Sequence, residues 1–201
     1  MNINTGSLKA TNFNFLLKNL YSKNRNAARS VTRGNIKDDV LVTADSDALK
    51  KISKSLRDLE YTKENGEGVY NNVKAFVETY NNLITSSKNS SSYDISHSMK
   101  LIKNLTKENK DELEKIGITI AASGKLELKK ETLVQCSPQK VASIFSEESD
   151  YTKKLKFYSG KIYKTSNYLN ITSRENIDTN KKTPDTNISG TDTTSFINTL
   201  V

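Results

Sequence analysis

The first ordered pattern along the chain begins at Phe13. Phe13, Leu16, Leu17, Leu20 and Tyr21, then Ala27, Ala28 and Val31, recur at helical spacing with basic residues between them, up to Gly34. This predicts an amphipathic basic helical segment over 13–37, preceded by a flexible polar stretch at 1–12. The next helix is expected to start at Asp45 or Ser46, either of which can cap it, with Asp47 in the first turn. Leu49, Ile52, Leu56 and Leu59 then follow at spacings of 3, 4 and 3, a narrow heptad seam. The run Asn65-Gly66-Glu67-Gly68 interrupts the pattern and reads as a kink between helices. A second seam runs through Val69, Val73, Phe76, Val77, Tyr80, Leu83 and Ile84. After a polar stretch from Ser86 to Asp94, a loop or loosened helix, a third seam holds Ile95, Met99, Ile102, Leu105, Leu113 and Ile116. Asn109 occupies that register where an apolar residue is expected, the usual mark of a residue that fixes register or partner.

At Gly117 the period shortens to two. Ile118 and Ile120 alternate with Thr119 and Ala121; Ala122-Ser123-Gly124 makes a bend; Leu126 and Leu128 flank Glu127. That is a β-hairpin signature near 117–128, and a lone hairpin needs helices to lie against. A short helix is expected near Lys130–Gln135. Another starts at Ser137-Pro138, a cap followed by proline at the first helical position, and buries Val141, Ile144 and Phe145. The last helix opens at Ser146 or Ser149, with Tyr151, Leu155, Tyr158, Ile162 and Leu169 as its seam. Residues 173–201 are Asn, Thr, Ser and charge, and are expected to form a disordered polar tail. The fold class is therefore mainly α: an antiparallel helical bundle or coiled coil over 44–170, with one small β-hairpin inserted before the last helix.

Charge sharpens this division. Of 31 Lys and Arg against 23 Asp and Glu, seven basic residues and no acidic one precede Asp38, leaving 24 bases and 23 acids in the remaining 164 residues. A nearly neutral body argues against a nucleic-acid module with a basic face spread over its core. Hydrophobic residues amount to 34%, so the core must be thin, and eight Gly with two Pro leave long stretches free to be helical. No apolar run is long enough to cross a bilayer. The start lacks the pattern of a secretory signal, so export, if it occurs, is expected to use another route.

Candidate chemistry is sparse. The one Cys, Cys136, excludes an intramolecular disulfide and any paired-cysteine metal knuckle. His97, the one His, lies among serines near a helix start and reads as a solvated surface residue. A Cys136–His97 nucleophile and base is the only thiol chemistry available, and a half-buried residue at a helix end describes Cys136 better. Gly66-Glu67-Gly68 lacks the third glycine and the preceding strand of a phosphate-binding loop. Glu108, Asp111, Glu112 and Glu114 alternate with Lys107, Lys110 and Lys115, a solvated face rather than an acid–base pair. The sequons at Asn104 and Asn170 fall in helical seams and read as chance. No metal, cofactor or small-molecule substrate is expected, and no enzymatic activity. The one charged feature above background is the leading helix, where Lys18, Lys23, Arg25, Arg29 and Arg33 form a candidate partner-binding surface. An acidic protein, nucleic acid or an anionic membrane could use it; its modest apolar content and lack of Trp disfavour the last two.

Val73–Ile84, then Leu113-Glu114-Lys115-Ile116-Gly117-Ile118-Thr119, Ser123-Gly124-Lys125-Leu126-Glu127-Leu128, Ser137-Pro138, Val141 and Ile144-Phe145 form a series. In order and rough spacing it resembles the C-terminal conserved region of the flagellar filament-capping protein family (hook-associated protein 2), over residues 45–170. Phe76, Tyr80 and Asn81, with Val77 and Leu83, match that family's helix motif. Ile116, Gly117 and Ile118 match its strand entry, Gly124 and Leu126 its hairpin, and Phe145, with Val141 and Ile144, its following helix. The resemblance implies a short stand-alone relative of the helical leg domain, in which these positions are structural. It also implies a non-enzymatic role with protein partners, either self-association or flagellar axial components. Export to the flagellum would proceed without a cleaved signal. The alternative is a cytoplasmic helical adaptor acting through the basic leading helix.

Overall fold

The computed structural model describes residues 38–179, with side chains described to Ser173. The basic segment at 13–37, with Lys18, Lys23, Arg25, Arg29 and Arg33, and the tail beyond Thr179 lie outside the described residues. Within them the chain is mainly helical, with one two-stranded sheet. In order come α1 (Asp38–Arg57), α2 (Gly66–Ser86), a 3-10 turn (Ser87–Asn89), α3 (Tyr93–Glu108) and α4 (Lys110–Lys115). Strands β1 (Ile118–Ile120) and β2 (Leu126–Leu128) follow, then α5 (Lys130–Gln135), α6 (Pro138–Phe145) and α7 (Asp150–Thr179).

Helix α1 packs between α2 and α7, and α7 packs between α1 and α3. The long pair α1–α7 is antiparallel. Asn170 donates to the Asp39 carbonyl (3.1 Å) and to Thr43 Oγ1 (2.7 Å) at one end. Lys50 Nζ lies 4.9 Å from the Tyr163 ring midway, and Arg57 reaches Glu147, just before α7, at the other. The three heptad seams expected on α1, α2 and α3 are buried: Leu49, Ile52 and Leu56; Phe76, Tyr80 and Leu83; Ile95, Met99 and Ile102. On α7, Tyr151, Leu155 and Ile162 are buried, and Tyr158 and Leu169 are half-buried against the same core.

Four expectations are corrected. Helix α1 does not start at Asp45 or Ser46; it already runs from Asp38, with Asp38 and Asp39 in its first turn where carboxylates suit the helix dipole. Asp45 and Ser46 are buried inside it. Gly66-Glu67-Gly68 is not a kink but the first turn of α2. The break is the 58–65 loop, where Tyr61 OH donates to the Leu56 carbonyl (2.6 Å) and Asn65 Nδ2 to that of Glu60 (2.8 Å). Asn109 is not a seam residue: it separates α3 from α4, its Nδ2 donating to the Leu105 carbonyl (2.8 Å), a local bond that competes with helix continuation. Residues 173–179, expected in the disordered tail, continue α7.

Candidate functional site

The residues that carried the family resemblance converge on one structural unit. The hairpin pairs Ile118 with Leu128 and Ile120 with Leu126 in antiparallel register. Its entry residue Gly117 has φ +85, and a Cβ there would meet Thr132 Cβ at 2.8 Å and the Lys129 carbonyl at 2.9 Å. Both the left-handed backbone and the lack of room require glycine. Gly124, φ +79, closes the bend through its N–H to the Ala121 carbonyl (2.8 Å). Asn81 on α2 then holds the strand: its Nδ2 donates to the Leu126 carbonyl (2.8 Å), and its Oδ1 accepts from the Leu126 N–H (2.7 Å). One side-chain amide thus supplies both bonds that a third strand would give at this residue, so the outer edge of β2 is satisfied by a helix.

Behind the hairpin, Phe76 contacts the rings of Phe145 (5.3 Å between centroids, edge-on), Tyr80 (6.1 Å) and Tyr151 (6.3 Å). Phe76, Tyr80, Ile116, Ile118, Leu126 and Phe145 are all buried. Tyr151 OH lies 3.3 Å from Thr106 Oγ1, which itself donates to the Ile102 carbonyl. Burial pushes the Tyr80 and Tyr151 phenols up from their ordinary value, with the Thr106 contact opposing it, and burial alone pushes up Tyr61. Each of these side chains has a packing or hydrogen-bonding task.

The residues considered for catalysis stay apart. His97 is exposed on α3 and stacks on Tyr93, with ring centroids 5.7 Å apart. Cys136 is half-buried at the end of α5, its thiol donating to the Lys115 carbonyl (3.2 Å). The carboxylates on α4 pair with neighbouring lysines at the surface: Lys115 with Glu112 at 2.5 Å and Lys110 with Glu114 at 3.6 Å. Among the described residues no group of three His, Cys, Asp or Glu could hold a metal, and no helix is long and apolar enough to cross a membrane. Two concavities among the described residues are open to solvent. One, about 270 Å³, lies between α1 and α7 beside Val40, Ala44, Tyr163 and Ile171; the other, about 350 Å³, lies beside Asn109, Ile144 and Tyr151.

What sequence reasoning missed is the outer face of α7. Phe157, Lys161, Lys164, Tyr168 and Ile171 stand at spacings of 4, 3, 4 and 3, within an arc of about 80° on the side opposite Leu155 and Ile162. All five are exposed: Phe157 by 57%, Tyr168 by 67% and Ile171 by 48%. Lys161 Nζ sits 4.9 Å from the Phe157 centroid, and Phe157 leans edge-on against Tyr158 (5.5 Å). Between Asp150 and Ser173 the helix carries five lysines (153, 154, 156, 161, 164) and one acid, Asp150. Asp150 pairs with Lys153 (3.7 Å). Among the described residues no ion pair includes Lys154, Lys156, Lys161 or Lys164. The near-neutral body therefore contains one basic helix. The signal was available as a second heptad phase on the last helix, masked because the inner phase already accounted for that helix. Comparison with protein-family models, curated proteins and solved structures found no match for the chain.

Proposed function

We propose that this is a non-enzymatic structural and interaction protein that assembles with other proteins through its helical seams, in the manner of a short stand-alone relative of the flagellar cap's helical leg domain. The observation that carries the reading is the exposed heptad seam of α7: among the described residues, three large apolar side chains lie in one line and remain about half exposed or more. The family-like series supports the leg-domain part, since those residues build one hairpin-on-bundle unit rather than scattered contacts. On this reading the partners are a second copy or flagellar axial components, and the protein acts outside the cell after export without a cleaved signal. Deleting the gene is expected to impair swimming, and tagged protein is expected to appear in the culture medium and to capture axial proteins. Unchanged motility together with strictly intracellular protein would overturn the flagellar assignment.

A second reading is favoured by the basic character of α7: a cytoplasmic helical adaptor for an acidic partner, with the leading segment adding charge. Steep loss of binding with salt, relieved by neutralising Arg25, Arg29 and Arg33, is the expected sign.

A further inference from the structure

We propose that the outer seam of α7 receives an acidic amphipathic helix of a different protein, and that its lysines reject a second copy of this chain. The proposal rests on the reading of that seam as a docking surface and decides what covers it. Phe157 to Ile171 spans about 21 Å at 1.5 Å per residue, four turns, the length of a helix-in-groove contact. Apolar side chains stand at both ends, Phe157 at one and Tyr168 with Ile171 at the other, while Lys161 and Lys164 occupy the two central seam positions. A seam with cations at its centre and apolar ends selects a partner with the complementary order: apolar outer turns and carboxylates in the middle.

Charge sorts the occupants. A second copy laid antiparallel is centred on Lys164, which then faces its own counterpart; a parallel copy stacks both lysine pairs in register. Either arrangement brings together two helices that each carry six bases and three acids between Asp150 and Thr179. The chain's own leading segment has seven bases and no acid, so it is repelled as well. Residues 180–201 hold two lysines and two aspartates, and no Asp or Glu stands among Phe196, Ile197, Leu200 and Val201. A polyanion would satisfy the lysines but would leave Phe157, Tyr168 and Ile171 without an apolar counterpart.

The test uses a fluorescently labelled 21-residue helical peptide with leucine at the seam positions of its outer turns and glutamate at the two central ones. Its twin carries lysine at the centre. Anisotropy with the full-length protein is expected to show binding of the glutamate peptide at least tenfold tighter than its twin. The preference is expected to reverse in the Lys161→Glu/Lys164→Glu variant. All substituted positions are exposed, and unchanged circular dichroism and melting temperature check that the fold is intact. Sedimentation of wild-type protein alone is expected to show monomer. A wild-type dimer abolished by Phe157→Ser/Tyr168→Ser would make the second copy the occupant, overturning this inference while leaving the docking surface standing. Binding of a 20-base-pair duplex or of phosphatidylglycerol vesicles with no preference between the peptides would overturn both.

Discussion

The molecule buries its two halves by different means. Around the hairpin, large rings fill the space: Phe76, Tyr80, Phe145 and Tyr151 meet at centroid distances of 5.3 to 6.3 Å. Along the α1–α7 pair, small hydroxyls lie as deep as the apolar seam residues Leu49, Leu56, Leu155 and Ile162. Ser46 and Ser53 on α1, and Thr152, Ser159 and Ser166 on α7, are fully buried at intervals of seven residues. The serines bond within their own helix, Ser53 donating to the Leu49 carbonyl (2.7 Å), Ser159 to that of Leu155 (2.7 Å) and Ser166 to that of Tyr163 (3.2 Å), while Thr152 reaches the carbonyls of Phe145 and Ser146 just before α7. A hydroxyl so satisfied behaves as a small side chain and lets two helix backbones approach, since interaxial distance follows the size of the residues at the contact. A thin hydrophobic inventory is thus enough, because in one half of the core small hydroxyls fill positions between the leucines and isoleucines.

The comparison breaks most visibly at Phe76. Phe76→Ala is expected to cost about 3–5 kcal/mol, measured as a fall in the urea midpoint at constant slope, because three rings lose their common neighbour and the space cannot collapse. The same half sets the alkaline limit. Tyr61, Tyr80 and Tyr151 have phenols raised above the ordinary value by burial. A raised folded-state value means that the unfolded chain sheds its phenolic protons first. Stability is therefore fully present below about pH 10 and falls as pH rises beyond it. Absorbance at 295 nm is expected to show these tyrosines titrating together with unfolding rather than before it.

The hydroxyl half breaks in the opposite direction. Ser159→Leu should be tolerated anywhere that bulk fills a gap, but here it wedges α1 from α7. The expected loss is about 1–3 kcal/mol, read as a drop in melting temperature with helix content retained. If leucine stabilises, the seam is a void and the account of close approach fails.

The two halves also differ in how far the sequence revealed them. The ring cluster announced itself: large residues at heptad spacing, then a change of period at Gly117 and a cap at Ser137, whose side chain accepts from the Lys140 N–H. The hydroxyl seam did not, because Ser in an Asn-, Ser- and Thr-rich chain carries no hydrophobic signal, and Asp45-Ser46 resembles a cap more than a core. Residues that look like a helix start were inside a helix, and the polar Asn109 that looked like a seam residue ended one. Charge misled in the same way. A body of 24 bases and 23 acids averages to neutrality, yet five of those lysines sit on one helix. An average over 164 residues hides one basic helix.

Asn81 joins the comparison from the side, since it bridges α2 to the strand rather than filling space. Asn81→Leu keeps the volume and leaves the Leu126 N–H and carbonyl without their partner. The expected cost is about 1–3 kcal/mol, with faster amide exchange at Leu126 than at Thr119, which stands opposite Glu127 inside the hairpin, as its local signature. Uniform acceleration through the hairpin would mean that Asn81 supports the whole sheet and not its edge alone.

The smallest effect is the sharpest statement about the hydroxyl seam. If Ser53 matters for its size, Ser53→Ala removes an oxygen whose only partner among the described residues is the Leu49 carbonyl one turn back. That carbonyl keeps its role as a helix acceptor, so no buried group is orphaned. Alanine is also the better helix former, by a few tenths of a kcal/mol. The two effects nearly cancel, and the variant is expected within about 0.5 kcal/mol of the parent in chemical denaturation. Valine at the same position adds two methyl groups to a closed contact and is expected to destabilise by more than alanine does. A loss from alanine as large as that from valine would show that the hydroxyl itself holds the helices, since both variants lack it, and the seam would have to be read as a polar network instead of a close approach.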